Sequence, residues 1–244
     1  MSIKVIVNGS GGKMGHVLCD LIEASEDMEV CARVSHFGEE GALTGLSEFT
    51  GEADVLVDFS NHEGTTELVE YITTRKIPAV IATTGQTEDE MEMIDKASES
   101  VAIFKSANMS LGIALLRKLV RQAASILNES DVEIVETHHN RKLDAPSGTA
   151  IMLADAVKDA RPELVTDVGR SGHKKREKND IGIQSIRMGN IVGDHEVMFC
   201  TENESVTIKH NAYDRGLFAE GAVAAARFIT GKAPGMYDMD DMLA

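Results

Sequence analysis

The segment that decides the fold is IKVIVNGSGGKMGHVLCDLIEAS, which spans residues 3–25. Its β-branched start, IKVIV, predicts a buried strand, and HVLCDLIEAS has the apolar spacing of a helix. Between them, Gly9, Gly12 and Gly15 are spaced GxxGxxG. Glycine permits a tight turn and close approach of the backbone to a pyrophosphate, whose charge meets the N–H groups of the helix. The segment therefore predicts a dinucleotide-binding strand–turn–helix unit, with a purely structural turn as the alternative.

The same alternation continues through the first hundred residues. Further strands are predicted at 28–34, 53–59, 78–84 and 101–107, and helical spacing lies between them in HEGTTELVEYITTRK and TEDEMEMIDKASES. Short apolar strands separated by helices predict a parallel sheet covered on both faces, as in a Rossmann-type domain.

The pattern changes after about residue 109. A long helix (111–127), a strand (132–137) and a helix (149–160) precede IGIQSIRM, HEVMFC and ESVTIKH, which are typical of an antiparallel or mixed sheet. A last helix (217–231) returns to the strand–helix pattern of the first hundred residues. We therefore predict an α/β protein: a Rossmann-type domain of residues 1–109 completed by 216–244, and a second, α+β domain of residues 110–215.

Composition limits the partners. The 244 residues include 24 Lys and Arg against 40 Asp and Glu, a formal net charge of −16, which argues against nucleic acid and anionic membranes. The chain starts directly with a strand pattern and has no stretch long enough to span a membrane, so no signal peptide is predicted. Three scattered cysteines, Cys19, Cys31 and Cys200, are typical of reduced thiols in a cytoplasmic protein.

The ends of the predicted strands carry small and polar residues, where a Rossmann cofactor site is expected. They are Phe59 within DFSNH (58–62), ATTG (82–85) and SANMS (106–110). Each could be an ordinary turn, but their recurrence at consecutive strand ends favours a cofactor site. Ser35 and His36 stand where an acidic residue usually binds the ribose, and the next acids are Glu39 and Glu40.

A second candidate site is ETHHNRKLDAPSGTA, residues 136–150. On a strand, His138 and His139 point to opposite faces, so one of them is expected to face the chemistry. DAPSGTA predicts a helix start, at which the N–H groups of Ser147, Gly148 and Thr149 would be unpaired donors. Together with Arg141 and Lys142, the stretch predicts a receptor for an anionic carboxylate or phosphate substrate beside a proton donor. A well-capped helix without function is the alternative.

Two other features are less specific. A metal site is disfavoured because the chain has neither HExxH nor paired cysteines. The basic stretch GRSGHKKREK (169–178) favours a solvated loop, and the alternative is a mobile flap that attracts anionic ligands.

At this point the motifs resemble those of one known family. GSGGKMG, DFS, ATTG, SANMSLG, HHNRKLDAPSGTA, IRMGNIVGDHEVMF and GMYDMDDML occur in the order found in the 4-hydroxy-tetrahydrodipicolinate reductase family. The resemblance covers essentially the whole chain, and HHNRKLDAPSGTA is its most specific part.

The resemblance implies a function and a set of residues. The family uses NADH or NADPH, forms homotetramers through its second domain, and reduces a cyclic dicarboxylate imine, with loss of water, to tetrahydrodipicolinate in lysine and diaminopimelate biosynthesis. Its histidine acid and lysine match His138 and Lys142, and its substrate contacts match His139, Gly148 and Thr149. Its cofactor contacts match Gly9, Ser10, Gly11, Gly12, Lys13, Met14, Ala82, Thr83, Thr84, Ser106, Ala107, Asn108 and Met109. The chain departs from the family at Ala82, where glycine is frequent, and at Ser35–His36, where many members have an acid followed by arginine.

The residues leave several points open. Histidine, with an ordinary pKa of about 6.5, suits proton transfer near neutrality, and Lys142 can offset developing negative charge, but either could deliver the proton. The missing carboxylate at Ser35–His36 predicts use of both cofactors, with NADPH at least as good as NADH. Two rival classes are another two-domain Rossmann oxidoreductase and a non-catalytic dinucleotide sensor.

Overall fold

The computed structural model describes residues 2–244, and its first part alternates strands and helices as the sequence predicts. The elements are β1 (Ile3–Asn8), α1 (Lys13–Glu23), β2 (Met28–Val34), β3 (Val55–Asp58), α2 (Thr65–Arg75), β4 (Ala79–Ile81), α3 (Glu88–Ser98) and β5 (Ala102–Lys105). Helix α1 begins earlier than the sequence pattern indicates, because Gly12 already serves as its N-cap.

The remaining elements alternate less regularly. They are α4 (Leu111–Ile126), β6 (Asp131–His138), α5 (Gly148–Ala160), β7 (Val165–Val168), β8 (Asp180–Arg187), β9 (Gly193–Cys200), β10 (Ser205–Ala212), α6 (Gly216–Ile229), β11 (Gly235–Tyr237) and α7 (Met239–Met242). The chain divides into two compact units, one made of the residues up to Ser110 with Gly216–Ala244, and the other of Leu111–Arg215.

The first unit is built on a parallel sheet with the strand order β11-β5-β4-β3-β1-β2. Its central strands are buried along their length, as in VLVD of β3, because helices cover a parallel sheet on both faces. The Rossmann-type parallel sheet predicted from the sequence is confirmed. Its carboxyl strand ends bring the residues that follow β1, β3 and β4 to one edge, which positions the first candidate site.

The second unit contains a mixed sheet with the order β10-β9-β6-β8-β7. Strand β6 pairs parallel with β8 and antiparallel with β9. Its even-numbered residues, including Val132 and Ile134, enter a core that also contains Leu153 and Val157 of α5. The prediction of a mixed or antiparallel sheet is confirmed. The same alternation places Glu136 and His138 on this helix-covered face.

Two edge strands lie outside the sequence prediction. VTDV of β7 and GMY of β11 are too short and too mixed in polarity to show a period-2 pattern. Both are extended because they pair with β8 and β5, respectively, so that tertiary hydrogen bonding decides their conformation.

Two further findings concern the described chain as a whole. Within residues 2–244, none of the helices combines the length and the apolar character needed to cross a bilayer. Cys19, Cys31 and Cys200 are free thiols, and burial raises the pKa of Cys19 and of Cys31 to about 11.

Candidate active site

The glycine-rich turn joins β1 to α1 by close backbone packing. Gly9 has a φ of +84°, and a Cβ at this position would lie 2.5 Å from the carbonyl oxygen of Phe59. Gly12 is the N-cap of α1, and no side chain caps this helix end. The first N–H groups of α1 therefore carry the partial positive charge of an uncapped helix start, which suits an anionic group.

A cavity of about 880 Å³ lies beside this turn, at the ends of β1 to β4. Its volume is in the range of a small-molecule or cofactor site. The predicted residues that line it are Gly9, Gly12, Lys13, Met14, Ser35, His36, Phe59, Ala82, Thr83 and Thr84. Ser60 and Asn61 of the predicted DFSNH segment also line it, whereas the sequence interpretation missed the lining residues Phe37, Glu63, Gly64 and Glu67. Most of these follow β3, so the strand-end argument could have been extended to them.

Other predicted cofactor residues lie outside this lining. Ser10 and Gly15 are buried, while Gly11 packs its backbone against the Ser35 side chain. The segment Ser106–Met109 (Ser106, Ala107, Asn108 and Met109) follows β5, and Ser106 Oγ donates to the Asn108 carbonyl at 2.8 Å. The structure thus places this segment at the same sheet edge, without bringing it into the described cavity.

An acidic side chain returns to the glycine turn. Ser10 Oγ donates a 2.9 Å hydrogen bond to Glu39 Oε2, and His16 Nδ1 lies 3.6 Å from Glu39 Oε1. The hydroxyl of Ser35 is buried without a hydrogen-bond partner among the described residues. The ribose end of the predicted site therefore combines a neutral serine with a carboxylate that comes from further along the chain. Sequence position alone did not place Glu39 here.

A buried carboxylate, that of Asp58, lies at the end of β3. Asp58 accepts hydrogen bonds from Asn8 Nδ2 at 2.8 Å and from Ser60 Oγ at 2.6 Å. Burial raises the pKa of Asp58, although bonds from Ser60, Thr83 and Asn8 oppose this. Since Asn8, Ser60 and Thr83 follow or end three neighbouring strands, Asp58 ties these strand ends together, and Ser60 and Thr83 both line the cavity.

The second candidate site centres on Glu136 and His138 of β6. Glu136 is fully buried, and its Oε2 atom lies 2.5 Å from His138 Nδ1. Arg187 of β8 donates to both carboxylate oxygens, from Nη1 at 2.8 Å and from Nη2 at 2.7 Å. Burial acts to raise the pKa of Glu136, but hydrogen bonds from Arg187, Ser185 and His138 lower it to about 2. Glu136 is therefore a fixed negative charge behind the imidazole.

A second histidine joins this cluster from β9. The rings of His138 and His195 are 5.2 Å apart in an edge-to-face arrangement, and His195 Nε2 lies 3.1 Å from Ser147 Oγ. Burial lowers the pKa of His195 to about 4, so its ring is neutral near pH 7. The sequence interpretation missed Glu136, Arg187 and His195. Glu136 had a usable signal, because residues two apart on a strand share a face.

The predicted basic residues lie in the turn after β6. Lys142 Nζ contacts Asp144 Oδ1 at 2.9 Å, and Arg141 Nη1 donates to Asn190 Oδ1 at 2.8 Å. His139 lies on the opposite face of β6 from His138, and its Nε2 is 3.5 Å from Arg215. As the strand geometry predicted, only one of the two histidines joins the buried cluster.

The start of α5 differs from the prediction in one respect. The N–H of Ser147 is not an unpaired donor, because it donates to Glu136 Oε1 at 3.2 Å. The Ser147 hydroxyl also accepts from the Ala150 N–H at 3.2 Å, as an N-cap does. The buried carboxylate, which the sequence pattern did not reveal as a partner, accounts for the difference. Gly148 and Thr149 form the first turn of α5.

The basic stretch 169–178 is tied to acidic strands through its arginines. Arg170 contacts Asp180 at 3.2 Å, and Arg176 contacts Asp131 at 2.8 Å and Glu133 at 3.3 Å. These contacts favour the loop interpretation over a mobile flap. Across residues 2–244, the structure shows no group of three or more His, Cys, Asp or Glu side chains arranged to hold a metal ion.

Comparison with known protein families covers nearly the whole chain. Residues 3–109 match "Dihydrodipicolinate reductase, N-terminus", and residues 112–243 match "Dihydrodipicolinate reductase, C-terminus". The first match lies within the first structural unit, whereas the second covers the second unit together with residues 216–243 of the first unit.

Individual relatives agree with this. The chain is 46% identical over 248 residues to a 4-hydroxy-tetrahydrodipicolinate reductase from Caldanaerobacter subterraneus subsp. tengcongensis, covering 100% of this chain and 99% of the relative. It is 41% identical over 249 residues to the enzyme of that name from Clostridium tetani, covering 100% and 98%. Among solved structures, it is similar to a dipicolinate-bound dihydrodipicolinate reductase from Paenisporosarcina sp. TG-14, with a TM-score of 0.83, 25% identity and 98% coverage of both chains.

Proposed function

The chain belongs to the dihydrodipicolinate reductase family, and on this premise we propose that it reduces 4-hydroxy-tetrahydrodipicolinate to tetrahydrodipicolinate through His138 and Lys142. The reaction belongs to lysine and diaminopimelate biosynthesis. The observation that carries the assignment of residues is the buried Glu136–His138 pair at the end of β6, directly before the turn with Lys142. A non-catalytic dinucleotide sensor would need neither a histidine oriented by a buried carboxylate nor this turn.

The reaction needs one hydride, one proton and the loss of water. The bound nicotinamide supplies the hydride. Electrons of the conjugated imine move toward the ring nitrogen, and a neighbouring carbon must then be protonated. His138 suits this step because Glu136 holds its Nδ1 and leaves Nε2 as the proton-transferring atom. Lys142 carries a positive charge that offsets developing negative charge or pairs with a substrate carboxylate.

We assign substrate binding to the start of α5 and to His139. Gly148 and Thr149 lie in the first turn of α5, whose N–H groups and positive end favour a carboxylate. Ser147 supports this turn from inside, since its N–H and hydroxyl contact Glu136 and His195. The similar reductase from Paenisporosarcina is bound to dipicolinate, which is a dicarboxylate, and this supports the same class of ligand here.

For the cofactor, we propose that NADPH and NADH both bind the cavity beside the glycine turn. The uncapped start of α1 and the close approach allowed by Gly9 fit a pyrophosphate. Lys13 lines the same cavity and adds positive charge. The segment Ser106–Met109 at the end of β5 is kept as part of the proposed cofactor site on the strength of the family resemblance.

The direct test is a reductase assay with both cofactors. The substrate is generated in the cuvette by its synthase, and oxidation of NADPH or NADH is followed by absorbance. We expect oxidation only when the synthase and its substrates are present. Absence of oxidation with either cofactor, in a folded protein, would contradict the proposal.

Two wider assignments rest on the family resemblance. We propose a homotetramer formed through the second unit, and sedimentation velocity at micromolar concentration tests it, because a monomer would contradict it. We also place the enzyme in the cytoplasm, consistent with its reduced cysteines, and fractionation of the native host tests this location.

A further inference from the structure

We propose that Glu136, clamped by Arg187, is a positioning residue that acts through His138 and selects Nε2 as its proton-transferring nitrogen. The inference rests on the proposed function, because it needs His138 to be the group that moves the proton.

Both oxygens of the carboxylate are engaged by neighbouring groups. Oε2 meets His138 Nδ1 at 2.5 Å and Arg187 Nη1 at 2.8 Å. Oε1 accepts from Arg187 Nη2 at 2.7 Å and from the N–H of Ser147 at 3.2 Å. Because an ionised carboxylate only accepts hydrogen bonds, Nδ1 of His138 must carry a proton. A neutral His138 therefore has its lone pair on Nε2.

The other ring nitrogen, Nε2, faces Gly193 of β9. A Cβ at that position would lie 2.9 Å from Nε2, so glycine is needed to keep a side chain away from this atom. The His138 side chain is 10% exposed, so a small part of it reaches the surface of the buried cluster. A carboxylate that holds one nitrogen of a histidine, while the other nitrogen stays accessible, is the arrangement by which acid–base histidines are oriented.

Stability alone gives a weak reason for this arrangement. Removing a carboxylate from water costs several kcal/mol, and buried ion pairs can often be replaced by apolar side chains without loss of stability. The core next to Glu136 offers such an environment, since Ile134 lies two residues before it on the same face. A role in orienting His138 explains why charge is retained here.

The charged and titratable groups around His138 come from each neighbouring strand. Glu136 lies on β6 itself, Arg187 on β8 and His195 on β9. Asp194 and His210 are further away and act on His195. The negative charge that touches the imidazole directly is that of Glu136, so its removal frees Nδ1 and changes the preferred tautomer.

The test compares Glu136→Gln with Glu133→Gln in the full-length enzyme. Both residues are on β6 and pair with an arginine, but Glu133 lies on the opposite face and contacts Arg176. We expect Glu136→Gln to lower kcat by roughly 10²-fold, as losses of histidine-orienting carboxylates do, with little change in KM. Glu133→Gln should change neither.

A double variant shows whether Glu136 acts through His138. If it does, Glu136→Gln combined with His138→Gln should be no slower than His138→Gln alone, because effects of residues acting as a unit are not additive. Multiplicative losses would overturn the inference. Wild-type kcat in Glu136→Gln, when His138→Gln is slow, would also overturn the inference, and that result would leave the proposed function intact. Wild-type turnover in His138→Gln would instead overturn the proposed function.

The unmodified enzyme provides a test that does not depend on folding of the variants. Two-bond ¹H–¹⁵N NMR spectra identify the tautomer of each histidine. We expect neutral His138 to carry its proton on Nδ1, and observation of the Nε2–H tautomer would overturn the inference.

Discussion

His195 Nε2 lies 3.1 Å from Ser147 Oγ, so that strand β9 and the first turn of α5 are joined through two buried side chains. The same serine N–H donates to Glu136. A neutral histidine therefore supports the helix start that we assign to substrate binding, and its protonation state matters for the stability of the second unit.

We expect the free energy of unfolding to fall as the solution is acidified below about pH 6.5. Burial lowers the pKa of His195 from 6.5 to about 4, so between these values the unfolded chain binds a proton that the folded chain does not. This stability is fully present above pH 6.5 and is lost as the pH falls toward 4. The contribution lost between pH 7 and pH 5 is about 2 kcal/mol. Urea unfolding at several pH values measures it.

His195→Gln provides the comparison for this measurement, since the amide can still contact Ser147 but does not titrate. Its unfolding free energy should depend less on pH between 7 and 5 than that of the unmodified protein. The matched control is His173→Gln in the exposed loop after β7, which should keep the original dependence. Equal pH dependence in all three proteins would contradict the assignment.

Replacing His138 by Gln or Lys142 by Ala should slow turnover by roughly 10²-fold or more, because a general acid or its charge partner is lost. Cofactor affinity should be nearly unchanged, since both residues belong to the second unit. Steady-state kinetics and cofactor titration check this. His173→Gln and Lys158→Ala are the controls. Near-normal turnover in both His138→Gln and Lys142→Ala would show that residues 136–150 do not carry out the chemistry.

Gly148→Pro should raise the substrate KM with little effect on cofactor affinity. Gly148 is the first residue of α5, a position where proline is compatible with a helix, and Ser147 before it is extended with ψ of 151°. The substitution therefore removes an N–H that we expect to bind a carboxylate, a contact worth about 1–3 kcal/mol.

Gly148→Ala separates this N–H from the effect of added bulk. A Cβ at Gly148 meets nothing within 4 Å, so alanine keeps the N–H without a clash inside the chain. Its KM should stay near the original value. An unchanged KM in Gly148→Pro, with the helix content intact by circular dichroism, would argue against the carboxylate receptor. Thr149→Val should raise KM in the same direction as proline.

The enzyme should use both cofactors, with kcat/KM for NADPH at least equal to that for NADH. Ser35 lines the cavity where a carboxylate would repel a 2′-phosphate, and Lys13 adds attraction that salt should screen. Ser35→Glu should shift the preference toward NADH by about 1–2 kcal/mol, the scale of one charge-assisted hydrogen bond. Measurement of kcat/KM for both cofactors at low and high salt checks this.

Glu39 provides a further test of the cofactor preference. Because its carboxylate contacts Ser10 in the glycine turn, Glu39→Gln should shift the preference further toward NADPH, whereas the exposed neighbour Glu40→Gln should not. A strong NADH preference in the unmodified enzyme, abolished in Glu39→Gln, would show that Glu39 takes the place of the missing acid at Ser35.

Local sequence patterns determined much of the architecture. The β-branched run before Gly9, and the helical spacing after Gly15, predicted the strand–turn–helix unit and the parallel sheet. These signals are strong because burial on one or both faces of an element fixes the period of its apolar residues. His138, Lys142 and the start of α5 could be singled out for a similar reason, since they are contiguous in the chain.

Only the tertiary structure showed which side chains complete the two sites. Glu39 comes back onto Ser10 from the loop after β2, Arg187 of β8 contacts Glu136 while His195 of β9 contacts His138, and β11 forms only by pairing with β5. These partners are distant in sequence, and a single sequence contains no local signal for strand order or register. The sequence therefore determined which contiguous stretches carry the candidate residues. The packing of β8 and β9 against β6 decided which side chains contact Glu136 and His138, and the placement of α5 decided that the N–H of Ser147 is engaged by Glu136.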